Sequence, residues 1–271
     1  MTDEPILKVT RESLASGTIM KMANERNDGA VDIASEDELH ASRRQLVPDS
    51  ADCSDIWIFG YGSLIFNPVV DYVEQSQARI FGNHRRFCLW TRLGRGSPDC
   101  PGLVLALDRG GSCAGVGFRL NPKTAIDELD LLWRREMITM AYRARWLALH
   151  TPHGVKRGIG FVARTARPNY AVPMPIEDEA RVIAAASGFI GPCREYLFDT
   201  VEALRAYGIS DPHLENLTRH VKQRLASDGA SVSTVQGSGE CGGIGRRSGF
   251  KIHRPQGLGG SSPPTRTISS A

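Results

Sequence analysis

The sequence predicts an α+β domain: a curled sheet or small β-barrel with helices on one side. Two observations carry the prediction. The first half of residues 51–227 reads as short runs rich in Val, Ile, Leu, Phe and Trp, broken by Gly, Pro, Asn and Asp clusters. Most of the second half has apolar residues recurring at helical spacing instead. Strands first and helices later is the order of an α+β fold rather than of alternating βα units.

In chain order, the predicted strands are Asp55–Tyr61, Ala78–Phe81, Arg86–Thr91, Leu103–Leu107 and Cys113–Leu120. A helix follows over Ala125–Ala141, with Thr124 placed to N-cap it and Asp127 three residues on as a box-like partner. Two more strands are expected at Ala144–His150 and Ile159–Thr165. The domain then closes with helices Glu177–Ser187, Arg194–Tyr207 and Pro212–Ala226. Residues 1–50 are acidic, polar and poor in aromatics, with only a weak helical period around Leu14–Asn24. They read as a loosely attached arm. Residues 228–271 contain GSGECGG and GLGGSSPP and have no period able to bury a face, so a disordered tail is expected there. No internal repeat is found.

Composition narrows the function classes. The 271 residues suffice for one large domain or two small ones. A hydrophobic content of 41% and a charged content of 23% are ordinary for a globular protein. No apolar stretch approaches the ~20 residues of a membrane-spanning helix. The opening MTDEPILKVTRESLAS lacks a basic start followed by an apolar run, so a cytoplasmic location without membrane attachment is expected. The net charge of +3 is small and its basic residues are interspersed with acidic ones, which argues against nucleic acid. The six cysteines form no CxxC pair and lack a histidine cluster, so neither zinc nor another metal is expected. His84, His150 and His153 stand at neither triad nor metal spacing. Nothing in the sequence calls for an obligate protein partner.

Two local features stand out. The first is FGYGSL, Phe59 to Leu64, directly after the apolar run Ile56-Trp57-Ile58. Gly60 and Gly62 lack Cβ, which permits positive φ and close approach of a ligand to the backbone. Tyr61, Gly62, Ser63 and Leu64 can then present consecutive N–H groups, a nest suited to an anion or a developing oxyanion. A GxG fragment by itself is more often a plain turn, and this one is neither a phosphate loop nor a dinucleotide fingerprint.

The second feature is Glu136 in TAIDELDLLWRREMITMAY. At about 100° per residue, Ile126, Leu129, Trp133, Met137 and Met140 share one arc, and Leu132 widens it. Glu136 falls inside that arc, between Leu129 and Leu132. Its neighbours three and four residues away are Leu132, Trp133, Thr139 and Met140, none of them cationic, and Arg134 and Arg135 are expected to project elsewhere. Burial there would push the carboxyl upward, into the range of a proton shuttle near neutral pH. A tertiary salt bridge to Arg143 or a loop arginine is the plainer alternative.

Taken in order, FGYGSLIFNP, RRFCLWTRLGRGSPDCPGLVLAL, CAGVGFRL, LLWRREMITMAY and AAASGFIGPCREYL resemble the ChaC-type γ-glutamylcyclotransferases over about residues 55–225, in their bacterial branch. The resemblance implies a small β-barrel with flanking helices, action on glutathione, and no metal or other cofactor. It implies that Tyr61, Gly62, Ser63 and Leu64 hold the γ-glutamyl group, that Glu136 is catalytic, and that Tyr142 and Tyr196 line the same pocket. Phe66 departs from the family, which usually has Trp there. Arg92 and Arg95, in TRLGRG, can attract the glycine carboxylate of glutathione, although a solvated basic loop is the simpler expectation. Two other functions remain open at this stage: cyclotransfer on other γ-glutamyl amines or amino acids, and a non-catalytic small-molecule-binding module on the same barrel.

Overall fold

The computed structural model describes residues 6–29 and 31–233, with side chains to residue 227. Five strands build the barrel: β1 (Trp57–Gly60), β2 (Tyr72–Thr91), β3 (Gly102–Leu120), β4 (Tyr142–Thr151) and β5 (Gly154–Ala163). They close in the order β1-β3-β2-β4-β5. β1 runs antiparallel to β3 and parallel to β5, which closes the ring. The barrel is lined and plugged by fully buried Trp57, Phe59, Phe87, Phe118, Phe161 and Trp133, which is where an antiparallel sheet must put its apolar face.

Four expected short strands prove to be two long ones. β2 has 20 residues and β3 has 19. Gly82, Gly110 and Gly111 all take positive φ where the pairing shifts between Phe81 and Asn83. A bulge turns the strand without ending it, so glycines that look like breakers in the sequence bend a continuous hairpin.

The helices that carry the other side are α4 (Ser63–Phe66), α5 (Ala125–Glu136), α6 (Ile176–Ala185), α7 (Cys193–Ala206) and α8 (Pro212–Ser233). A two-stranded turn, Ser187–Gly188 with Gly191–Pro192, joins α6 to α7. α5 stops five residues earlier than its apolar spacing suggests. Met137 N–H still bonds Trp133 O, but Met140 then adopts φ 49° and the chain enters β4. Met137 is buried and Met140 packs on the core, so the apolar pattern continues through a turn that is not helix. Thr124 occupies the N-cap position, but its hydroxyl makes no capping bond.

Residues 1–50 are not the loose arm expected. They contribute α1 (Arg11–Ala15), α2 (Thr18–Glu25) and α3 (Glu36–Leu46), the first and third closed by capping boxes. Leu14, Leu39 and Val47 are buried. Arg11 Nη1 reaches Glu128 of α5 at 2.5 Å and Nη2 at 2.9 Å, and Arg43 Nε donates to Asp130 at 2.7 Å. All described residues fall in one unit, Met1–Gly237. The expected disordered tail begins instead as helix, since α8 runs to Ser233, and residues 234–271 lie outside the described residues.

Glu128 is 2% exposed and accepts from Arg11 and from Asp71 N–H at 2.9 Å. Removing Arg11 leaves a buried carboxylate with one backbone donor. Because Arg11 is itself half-exposed, Arg11→Ala is expected to cost about 1–3 kcal/mol rather than the full penalty of a broken buried pair. A urea titration checks this; an unchanged midpoint means the N-terminal helices add nothing to the fold.

Candidate active site

β1 delivers Gly60 and Tyr61 to the barrel rim, and α4 begins at once with Ser63. Neither Gly60 nor Gly62 has positive φ: Gly62 sits at φ −137°, ψ −127°. These glycines are needed for room. A Cβ on Gly60 would lie 2.9 Å from Phe118 Cε2, and one on Gly62 would lie 2.7 Å from the Tyr196 hydroxyl. The first N–H groups of a helix lack intrahelical acceptors. Ile65 N–H bonds back to Gly62 O and Asn67 N–H to Ser63 O, so Ser63 and Leu64 begin the turn with their N–H groups turned out of the helical ladder. The Tyr61 carbonyl is clamped by Arg85 Nη1 at 2.7 Å, and that guanidinium is fixed by Asp211 at 2.9 Å. Nothing in the sequence marks Arg85 for this work.

Tyr61, Gly62, Ser63, Leu64, Glu136, Tyr142 and Tyr196 line one cavity together with Leu105, about 250 Å³ with its open mouth included. Every site residue expected from the sequence is therefore brought to one place. Leu105 is the member that sequence reading misses, and its part is backbone chemistry. Its carbonyl accepts from Tyr142 OH at 3.0 Å. A register shift in β2 between Phe87 and Leu89 sits opposite this point. Bulges beside sites commonly release or redirect backbone groups. Tyr61 OH donates to Phe161 O at 2.8 Å. Rings pack edge-on against two of the phenols: Phe87 against Tyr196 at 5.9 Å, Phe66 against Tyr196 at 6.5 Å and Phe161 against Tyr142 at 6.3 Å.

Glu136 is the last residue of α5 and only 12% exposed. Burial pushes its carboxyl above the ordinary range, and Arg135 partly opposes this. The end of α5 works in the same direction as burial, because the C-terminus of a helix carries partial negative charge. The counter-ion is not Arg143. Arg135, expected to point away, turns back so that its Nε lies 3.1 Å from Glu136 Oε1, while its Nη1 donates to Asn67 O just beyond α4. Burial lowers the Arg135 pKa, and Glu136 holds it up. Termination of the helix makes this adjacent-residue pair possible, since within a helix neighbouring side chains diverge by about 100°. Burial likewise raises Tyr61, Tyr142 and Tyr196, so all three stay phenols and can donate hydrogen bonds.

The arrangement holds one carboxylate able to accept a proton, three neutral phenols and the exposed start of a short helix around a small cavity. Such a set can bind a polar group, orient it and move one proton. Among the described residues, no group of three or more His, Cys, Asp or Glu side chains is arranged to hold a metal ion. No helix among them is long and apolar enough to cross a membrane.

Tyr61→Phe is expected to reduce activity several-fold without abolishing it, because the loop's donors are mainly backbone groups. It also leaves the buried Phe161 carbonyl without this donor, at a cost of about 1–2 kcal/mol. Steady-state kinetics and a thermal melt read both effects; complete loss of turnover in a folded variant means that the phenol itself takes part in the reaction.

Comparison with known proteins gives a consistent picture. The ChaC-like protein family model matches residues 56–224. A glutathione-specific gamma-glutamylcyclotransferase of Escherichia coli (strain K12) is 40% identical over 178 residues, spanning 65% of this chain and 77% of that protein. Gamma-glutamylcyclotransferase 2-3 of Arabidopsis thaliana is 32% identical over 63% of this chain and 90% of its own length. Among solved structures, a yeast gamma glutamyl cyclotransferase specific to glutathione superposes with a TM-score of 0.57 at 23% identity, covering 63% of this chain and 96% of that one. That last likeness speaks to the fold, which is the α+β barrel with flanking helices predicted from the sequence.

Proposed function

We propose, from the premise that the chain belongs to the ChaC-like protein family, that this protein is a γ-glutamylcyclotransferase acting on glutathione, with Glu136 as its proton shuttle. The observation that carries the reading is a single buried, upshifted carboxylate in the same cavity wall as the Tyr61–Leu64 turn. The names of the E. coli and A. thaliana relatives support the reaction, and that of the E. coli protein supports glutathione as the substrate.

The reaction is intramolecular. The α-amine of the γ-glutamyl group attacks its own γ-carbonyl carbon, so one C–N bond forms and the C–N bond to cysteine breaks. The products are 5-oxoproline, a five-membered lactam, and Cys-Gly. At neutral pH most of the amine is protonated and cannot attack. Glu136, ionised, takes that proton and returns it to the departing amide nitrogen; the attacking nitrogen sheds a second proton as the lactam forms, and the released cysteine amine takes it up to leave as an ammonium. One group serving first as base and then as acid suits a carboxyl whose pKa burial has raised toward neutrality.

The N–H groups of the Tyr61–Leu64 turn hold the γ-glutamyl group and meet the oxyanion of the tetrahedral intermediate; losing one such donor typically costs on the order of 100-fold. Tyr142, hydrogen-bonded to the Leu105 carbonyl, and Tyr196 form the wall against which the chain folds back. Nucleophile and target share one molecule, so selecting the folded-back conformer supplies much of the acceleration.

The deciding experiment incubates the protein with glutathione and follows 5-oxoproline and Cys-Gly by mass spectrometry, with γ-Glu-Ala in parallel. Both products from glutathione, and little from γ-Glu-Ala, are expected. Lactam from γ-Glu-Ala at a comparable rate shifts the substrate to γ-glutamyl compounds generally. Saturable binding of glutathione with no lactam makes the site a binding module.

A further inference from the structure

Resting on the reading above, we infer that Arg95 is the specificity-determining residue for the leaving group: its guanidinium receives the glycyl carboxylate of glutathione. Arg95 lies in the β2–β3 loop, and that loop is not solvated. Gly96 packs so closely that a Cβ there would lie 2.3 Å from Gly102 N, and a Cβ on Gly188 would lie 2.3 Å from Gly96 O. Ile190 N–H bonds Gly94 O at 2.9 Å. The loop is thus pinned to the turn that precedes α7, and the turn fixes where Arg95 points.

Among the described residues the guanidinium has one hydrogen-bond partner. Nη1 donates to Pro192 O at 3.1 Å, at the N-cap of α7. Cζ stands 5.8 Å from the Tyr196 ring centroid, one turn further along the same helix. Among the described residues no carboxylate comes within 4.0 Å of it. Glu195 and Asp199 contribute only at longer range, and burial drives the arginine downward more than they hold it up. A cation beside the start of a 14-residue helix meets the positive end of the dipole, an arrangement that wants an anion. Arg135 adds a second buried cation that feels Arg95, and Glu136 is its ion-pair partner. Arg92, its neighbour in the sequence, is engaged elsewhere, with Asp28 at 2.6 Å.

Tyr196 stands between the cavity and the guanidinium. The hydroxyl end of Tyr196 lies beside Gly62 and its ring faces Arg95, so one phenol neighbours both the γ-glutamyl turn and the guanidinium. The Cys-Gly portion extends at most roughly 7 Å from the scissile carbon, about the reach of that side chain. A carboxylate at its end meets the fork of donors that Arg presents.

The test compares glutathione with its glycinamide derivative, in which the carboxylate becomes a neutral amide. The wild-type protein is expected to prefer glutathione by about 10- to 100-fold in kcat/KM, mostly through KM. Arg95→Met is expected to lower kcat/KM for glutathione by a similar factor and to change the amide less than about 3-fold, so the preference disappears. Arg95→Lys keeps the charge without the fork and is expected to retain part of it. Equal losses on both substrates make Arg95 merely structural and overturn the assignment, as does no loss on glutathione. Should Arg95→Met fail to fold, the wild-type ratio alone decides: equal kcat/KM for acid and amide overturns it. If the wild type releases no lactam from any γ-glutamyl substrate, the cyclotransferase reading itself fails and takes this role with it. That result differs from an active enzyme indifferent to the carboxylate.

Discussion

Glu136→Gln is expected to keep the fold and to abolish 5-oxoproline release from glutathione, a loss of at least about 1,000-fold in kcat. General acid–base catalysis by one group typically contributes 100- to 10,000-fold, and in the proposed mechanism one side chain handles the proton in both halves of the reaction. The substitution is close to isosteric. The Gln side-chain oxygen still accepts from Arg135 Nε, now 3.1 Å from Glu136 Oε1, so Arg135 keeps a hydrogen-bond acceptor though not a counter-charge. A drop of a few degrees in Tm is the expected structural cost. Single-turnover assay with mass detection of the lactam reads the chemistry, and circular dichroism reads the fold. Full turnover by the folded variant defeats the assignment of the base.

The pH dependence follows with a definite sign. In the proposed mechanism only ionised Glu136 accepts the amine's proton, and burial holds its pKa above the ordinary carboxylate range. As pH falls through that raised value the shuttle is neutralised, so kcat/KM should fall on an acidic limb that lies above an exposed glutamate's titration. The tyrosines add no limb near neutrality, since burial raises all three further from it. The same group bears on folding. The native state favours its protonated form, so its contribution to stability is fully present below the unfolded pKa and is lost as pH rises through the folded one. Glu136→Gln should flatten the stability profile. An acidic limb at the position of an ordinary glutamate, or below it, contradicts the dry setting of the carboxyl.

Much of this site was legible because its chemistry runs against local pattern. Glu136 interrupts an apolar arc, and two glycines follow directly on a buried strand; both anomalies need a reason that folding does not supply. What stayed hidden depends on where chains stop and bend. Apolar spacing ran past Glu136 because Met137 and Met140 also pack inward, so the helix end could not be seen. Without that end the Arg135–Glu136 pair could not be anticipated either. Leu105 acts through its backbone, on which sequence is silent. The helices of residues 1–50 were missed for a different reason. Their buried contacts are few, and two of their anchors are arginines, Arg11 and Arg43, which read as surface charge until their partners Glu128 and Asp130 on α5 are seen.

Gly62→Ala should be nearly as damaging to catalysis as losing an oxyanion donor, on the order of 100-fold in kcat/KM, even though it removes no functional group. The added methyl would sit 2.7 Å from the Tyr196 hydroxyl and 3.5 Å from Leu105 Cδ1. The phenol cannot simply swing away. Tyr196 is 7% exposed, and Phe87 and Phe66 pack edge-on against its ring. The remaining relief is for the turn itself to move, but Arg85 clamps Tyr61 O from the other side. Either response displaces by a few tenths of an ångström to an ångström the N–H groups that must meet the oxyanion, and misplacement of that size is enough to cost about 100-fold. A double-mutant cycle separates steric displacement from any other effect. Tyr196→Phe takes away the oxygen that the methyl strikes, so Gly62→Ala should cost much less in that background, leaving a coupling of roughly 1–2 kcal/mol in transition-state free energy. Additive losses mean that the two residues act independently. The pocket would then owe its shape to something other than the contact between a missing side chain and one phenol.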